Sequence, residues 1–263
     1  MHGSLKTLLV AGALQFFYLG DMAIDKRPET IFQLEDANQK EVKLFNFEKS
    51  YEHLKDNWDY FDKQILLVKN LIFLDTLMVT TTNSNKKDIA VAAAQPPDTV
   101  ILVYTDPLTI AHELAHMWYY NLTKRDILDK KWEALYGKFL NSENSLENLI
   151  EHGSVTYHAL KNIREDIAET AGLVYALNDP NYIVKGFPAE APDFRTKGDT
   201  SFLNYYSVVH NPPLRVMKSE HFARKLTQKI QLLTEYGFFS KREAQHAIRR
   251  VGDFQKKNQC IYE

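Results

Sequence analysis

Hydrophobic positions along the chain alternate between two kinds of spacing. Apolar and aromatic residues recur at helical intervals through Tyr51, Leu54, Trp58, Phe61, Ile65 and Leu66, which predicts a long amphipathic helix from about Phe47 to Lys69. The segments Leu71 to Thr81 (LIFLDTLMVTT), Ile89 to Ala94 and Thr99 to Tyr104 (TVILVY) read instead as strands. A turn at Asn83-Ser84-Asn85-Lys86-Lys87 separates the first two. Helical spacing returns after Asp106, a residue able to cap free amides, with Pro107 at the first helical position. Further helices are expected at about 127–140, 143–152, 162–177, 218–237 and 241–254, the last capped by Ser240. Residues 24–47 are mixed and polar, with turn signals at Arg27-Pro28 and Asp36-Ala37-Asn38. Residues 178–215 contain five prolines and little periodicity, and read as a long surface loop. The expected class is α+β: a small, mostly antiparallel sheet, a helix following it directly, and a mainly helical C-terminal part.

A chain of 263 residues suits one large domain, expected here over residues 24–263. The N-terminal 23 residues stand apart. Lys6 precedes an apolar run from Thr7 to Gly20, too short for a membrane span but similar in form to a secretory signal. Gln15 interrupts the run and no clean small-x-small cleavage site follows, so a first core element explains it equally well. Secretion or a cell-envelope location is the expectation, with a delivered effector or a cytoplasmic protein as alternatives. With 32 basic against 34 acidic residues the formal charge is -2, and no basic stripe is interleaved with aromatics, so nucleic acid is not an expected partner. No stable membrane span is expected either. The one cysteine, Cys260, can form no internal disulfide.

The most informative chemistry is His112-Glu113-Leu114-Ala115-His116, within the helix that Asp106 begins. Residues four apart share a helix face, so both imidazoles can meet one metal ion. Glu113 lies beside them, where a carboxylate can take a proton from a metal-activated water. This HExxH spacing is that of zinc-dependent peptidases, whose catalytic ion needs a third protein ligand. The acidic candidates downstream are Glu133, Glu143, Glu147, Glu151, Glu165 and Glu169, with His152 and His158 as nitrogen alternatives. In Arg164 to Gly172 (REDIAETAG), Glu165 and Glu169 fall one turn apart on one face. Two adjacent carboxylates repel unless a cation or donors compensate. Zinc at Glu165, with Glu169 bonded to an HExxH histidine, would compensate, and so would a solvated face with lysine or arginine partners; spacing leaves both open.

HExxH followed by Tyr157, Asn162, Glu165, Asp166, Ala168 and Glu169 resembles the gluzincin-type peptidases that include anthrax lethal factor and a group of bacterial zinc-binding metallopeptidases. The segment Trp132 to Gly137 is also similar, and the resemblance covers about residues 98–178. It implies a zincin-like fold, Zn2+ as cofactor, and an endopeptidase acting on peptide or protein. By the same resemblance His112, His116 and Glu165 are the metal ligands, Glu113 the general base, Glu169 a supporting carboxylate and Tyr157 a donor to the oxyanion. The chain departs from the pattern in two places: Tyr157 is one residue too far from Glu165, and Ile167 replaces an aromatic. A second resemblance is to the M1 aminopeptidases, through the run HELAHMW. It implies Glu133 as third ligand, although Glu133 is two positions early and no Gly-x-Met-Glu-Asn run is present. A third reading is a non-catalytic binding protein on a metallopeptidase scaffold.

Other residues have ordinary expectations. Trp118, Tyr119 and Tyr120 should pack in and around the core. His152 and His158 read as locally satisfied histidines, and His210, in the loop VVHNPP, as a loop residue. Asp166 should cap or orient a histidine. The strand near Thr99–Tyr104 is expected to offer an edge to an extended peptide.

Overall fold

The computed structural model describes residues 29–33, 37–74, 77–80, 87–90, 92–136, 145–179 and 214–259. The N-terminal apolar run, most of the proline-rich loop with His210, and Cys260 lie outside the described residues. The order is β1 (Glu29–Gln33), α1 (Ala37–Asn57), α2 (Phe61–Ile65), β2 (Asn70–Leu74), β3 (Leu77–Thr80), β4 (Lys87–Ala90), β5 (Ala92–Gln95) and β6 (Thr99–Leu102). Helices follow: α3 (Pro107–Asn121), α4 (Arg125–Tyr136), α5 (Leu146–His152), a 3-10 turn (Ala159–Lys161), α6 (Ile163–Asn178), α7 (Leu214–Met217), α8 (Glu220–Glu235) and α9 (Lys241–Gln259). The class is α+β, as expected, and the described residues are mostly helical. None of the described helices is long and apolar enough to cross a membrane.

The sheet differs from expectation. Its order is β1-β2-β6-β5, with β1 and β6 both parallel to β2 and β5 antiparallel to β6, so it is mixed and not mostly antiparallel. Parallel neighbours require a crossover, which α1 and α2 supply between β1 and β2. Spacing reveals a strand but not its partner. β1 itself, ETIFQ, falls where a polar segment was expected, and α1 begins ten residues earlier than Phe47. The stretch Leu71–Thr81 divides into β2 in the sheet and β3 in a separate hairpin with β4. β6 pairs on both sides and is therefore no edge; the edge on that side is β5. In β2 only Leu71 and Phe73 are buried, alternating as a strand with one face on the core requires.

The long first helix breaks after Asn57, where a tertiary contact takes over. Glu243, at the start of α9, accepts from Asp59 N and Ser240 N, both at 2.8 Å. Around this junction Trp58, Phe61, Phe238 and Phe239 form an aromatic cluster, with Trp118 of α3 stacked edge-on against Phe238 at 4.9 Å. Edge-to-face packing adds about 0.5–1.5 kcal/mol per pair beyond area burial.

α3 runs through the middle: every residue from Thr109 to Tyr119 is buried. A helix covered all round belongs to the interior. Its start is fixed by Asp106, whose side chain accepts from Leu108 N at 3.1 Å and Thr109 N at 3.0 Å. Asp106→Ala is expected to cost about 1–2 kcal/mol; urea unfolding with an unchanged m-value would read it, and a loss under 0.3 kcal/mol would contradict the capping role.

Candidate metal centre

α3 and α6 pack face to face, and their facing turns bring the singled-out residues together. Turn geometry puts His112 and His116 on one stripe of α3. The start of α6 is set by Asn162, whose side-chain oxygen accepts from Glu165 N at 3.1 Å. That cap places Glu165 in the first turn, where the helix dipole favours a carboxylate.

Three ligand-type atoms form a triangle. His112 Nε2 and His116 Nε2 are 3.1 Å apart, and Glu165 Oε2 stands 3.4 Å from the first and 3.3 Å from the second. At zinc–ligand distances of about 2.0–2.1 Å, two ligand atoms of a tetrahedral ion lie about 3.3–3.4 Å apart. The triangle therefore has the size of one tetrahedral face. Glu165 Oε2 is buried, yet no donor among the described residues is aligned on it as a hydrogen bond. Nitrogens crowding an oxygen without pointing at it are what ligands sharing one cation look like. The residues present fit a metal, and this group is one of two the described residues offer for one.

The electrostatics agree. Burial opposes ionisation of Glu165, but His112, His116 and His158 outweigh it and hold its carboxyl far below the usual range. Burial likewise opposes a charge on His116, while Glu165, Glu113 and Glu169 raise its pKa above the ordinary histidine value. Negative potential is thus concentrated where a divalent cation would lie.

Around the triangle the expected roles divide. Glu169, 1% exposed, places Oε1 3.5 Å from His112 Nδ1, on the ring nitrogen facing away from the triangle. From there the carboxylate presents its charge to the ring, the side on which a supporting carboxylate was expected. Glu113 is buried at 6% exposure, and its Oε2 meets no hydrogen-bond partner among the described residues. Asp166, expected to orient a histidine, does something else. One position further round α6, it is fully buried, 2.7 Å from Lys229 Nζ and accepting from Trp132 Nε1 at 2.8 Å. Lys229 also donates to Gly153 O at 2.8 Å. Burial pushes the Asp166 carboxyl up and the Lys229 ammonium down, against their mutual attraction.

Tyr157 stands at the surface, 39% exposed, and burial and the charge of Glu147 raise its phenol pKa. Its neighbour His158 meets the cluster directly, with Nε2 2.9 Å from Glu165 Oε2. Seven residues before Glu165, on the turn leading into α6, His158 had no periodic signal to mark it; the one-residue misfit of Tyr157 was the available hint. Glu133 is exposed on α4 and belongs to no metal-capable group among the described residues. Trp118 and Tyr119 pack as expected, Tyr119 donating to Asp129 at 2.8 Å. A cavity lined by Leu122, Ile127, Lys131, Glu235 and Tyr236 includes none of the site residues. Compared with protein-family models, curated proteins and solved structures, the chain gives no match.

Proposed function

We propose that this chain is a zinc-dependent endopeptidase on a zincin-like frame. The observation that carries the reading is the triangle of His112, His116 and Glu165, sized for a tetrahedral ion, with the buried carboxylate of Glu113 beside it, whose Oε2 has no hydrogen-bond partner among the described residues. Those three residues would hold zinc, which when bound would supply Lewis acidity for a peptide carbonyl and for water, whose pKa it would lower towards about 7. Glu113 takes the proton of the attacking water on its free oxygen and delivers it to the leaving amine. Glu169 keeps His112 in the tautomer and orientation that offer Nε2. β5, the sheet edge next to α3, offers backbone groups to an extended peptide or protein substrate, the role first expected of Thr99–Tyr104.

The ligand set has a direct test that also addresses the aminopeptidase-like reading. Glu165→Ala is expected to lose stoichiometric zinc, and Glu133→Ala to retain it, as measured by metal content after dialysis against a weak chelator. Retention in Glu165→Ala with loss in Glu133→Ala would reverse the assignment.

A further inference from the structure

His158 stands beside this triangle, in a second metal-capable group with His112 and Glu169, and its geometry is not that of a bystander. Its Nε2 is 2.9 Å from Glu165 Oε2, closer than either HExxH nitrogen comes to that oxygen. At that separation a donating imidazole would satisfy the carboxylate, yet Glu165 Oε2 accepts no aligned hydrogen bond from the described residues. Distance without alignment is the relation of two ligands on one edge of a coordination polyhedron, whose axes meet at the ion and not at each other. The His158 ring lies 5.9 Å from that of His112, against 4.8 Å between His112 and His116, so it is the outer member of the cluster. It is also the most open, with 39% of its side chain exposed against 9% and 11% for His112 and His116. Its backbone is firmly seated. Val155 and Ala159 are fully buried on either side, and His158 O accepts from Lys161 N at 3.2 Å in the 3-10 turn.

We propose that His158 is an exchangeable fourth protein ligand, which completes a three-histidine, one-glutamate centre in the resting protein and yields its position to substrate. The inference rests on the zinc reading above. A structural zinc has four protein ligands and a catalytic one keeps an open position; a half-exposed imidazole on the fourth side allows both states in turn. The site would then hold its metal tightly between turnovers while a ligand for the open position must displace His158.

The test measures two affinities in the full chain, for zinc by chelator competition and for acetohydroxamate, a small zinc-binding anion, by titration of the zinc-loaded protein. His158→Ala is expected to weaken zinc at least about tenfold and to tighten acetohydroxamate, because the competing imidazole is gone. Unchanged zinc affinity with weaker acetohydroxamate would overturn the proposal and make His158 a hydrogen-bond donor to the bound ligand. A fall in both affinities would make it a packing residue. In the Glu165→Ala background, where zinc is weakened already, His158→Ala should weaken it further; no further effect would mean that His158 acts only through Glu165. None of these readouts uses peptide cleavage. A parent chain that binds zinc but cleaves no peptide leaves the ligand question decided, and one that binds no zinc removes both readings.

Discussion

Glu113→Gln is expected to keep its zinc and to lose a hundredfold to ten-thousandfold in peptide hydrolysis. The size follows from the worth of a positioned general base. The amide is nearly isosteric with the carboxylate it replaces and stands outside the triangle of ligand atoms, so the metal should stay. Glu113 Oε2 has no protein partner among the described residues, so the change breaks no hydrogen bond of that oxygen. Loss of activity would therefore report chemistry and not refolding. Zinc content and thermal midpoint should match the parent, and cleavage of an unbiased peptide library, with and without chelator, reads the activity. If the variant cleaves like the parent, Glu113 is not the base. If the parent carries zinc and cleaves nothing, the scaffold serves binding and not turnover.

The largest stability effect is expected well away from the metal, at Lys229→Met. Lys229 and Asp166 are both 0% exposed, and the ammonium makes two short contacts, to Asp166 and to Gly153 O. Removing the lysine leaves a buried carboxylate without its cation, though Trp132 Nε1 still donates to it, a change that costs about 3–5 kcal/mol. Lys225→Met, one turn earlier on the same helix, loses an exposed bond to Leu135 O and should cost about 1 kcal/mol or less. The double variant Lys229→Met with Asp166→Leu should recover part of the loss, since no lone charge remains inside. Denaturant midpoints at constant m-value measure all three. Equal effects for Lys229→Met and Lys225→Met would show that the buried pair does not hold the helices together.

Asp166 also illustrates what a linear reading reaches and where it stops. The capped start of α3, the HExxH stripe and the pairing of Glu165 with Glu169 are local facts, set by residues within a turn or two of one another, and all could be read along the chain. Asp166 was visible as an acid in the right helix, but its partner lies 63 residues away on a helix whose lysine looked like any solvated lysine. Burial of a charge depends on tertiary company, and period alone cannot announce it. The same holds for His158, a single histidine in a turn, and for the parallel neighbours of β2, whose branched residues give strand character without naming a partner. The break after Asn57 depends on Glu243, which sits 184 residues from Asp59.

Glu243 has a consequence for how the protein is made. The three triangle residues have all been synthesised by Glu165, yet the frame around them waits for Lys229, which braces the first turn of α6, and for Glu243, which joins the end of α1 to the start of α9. Closing chain segments of that length gains nothing until both ends are present. On the ribosome the half that carries the triangle would therefore emerge first and remain loosely held, so that on the proposed reading tight metal loading would wait until α9 has been released.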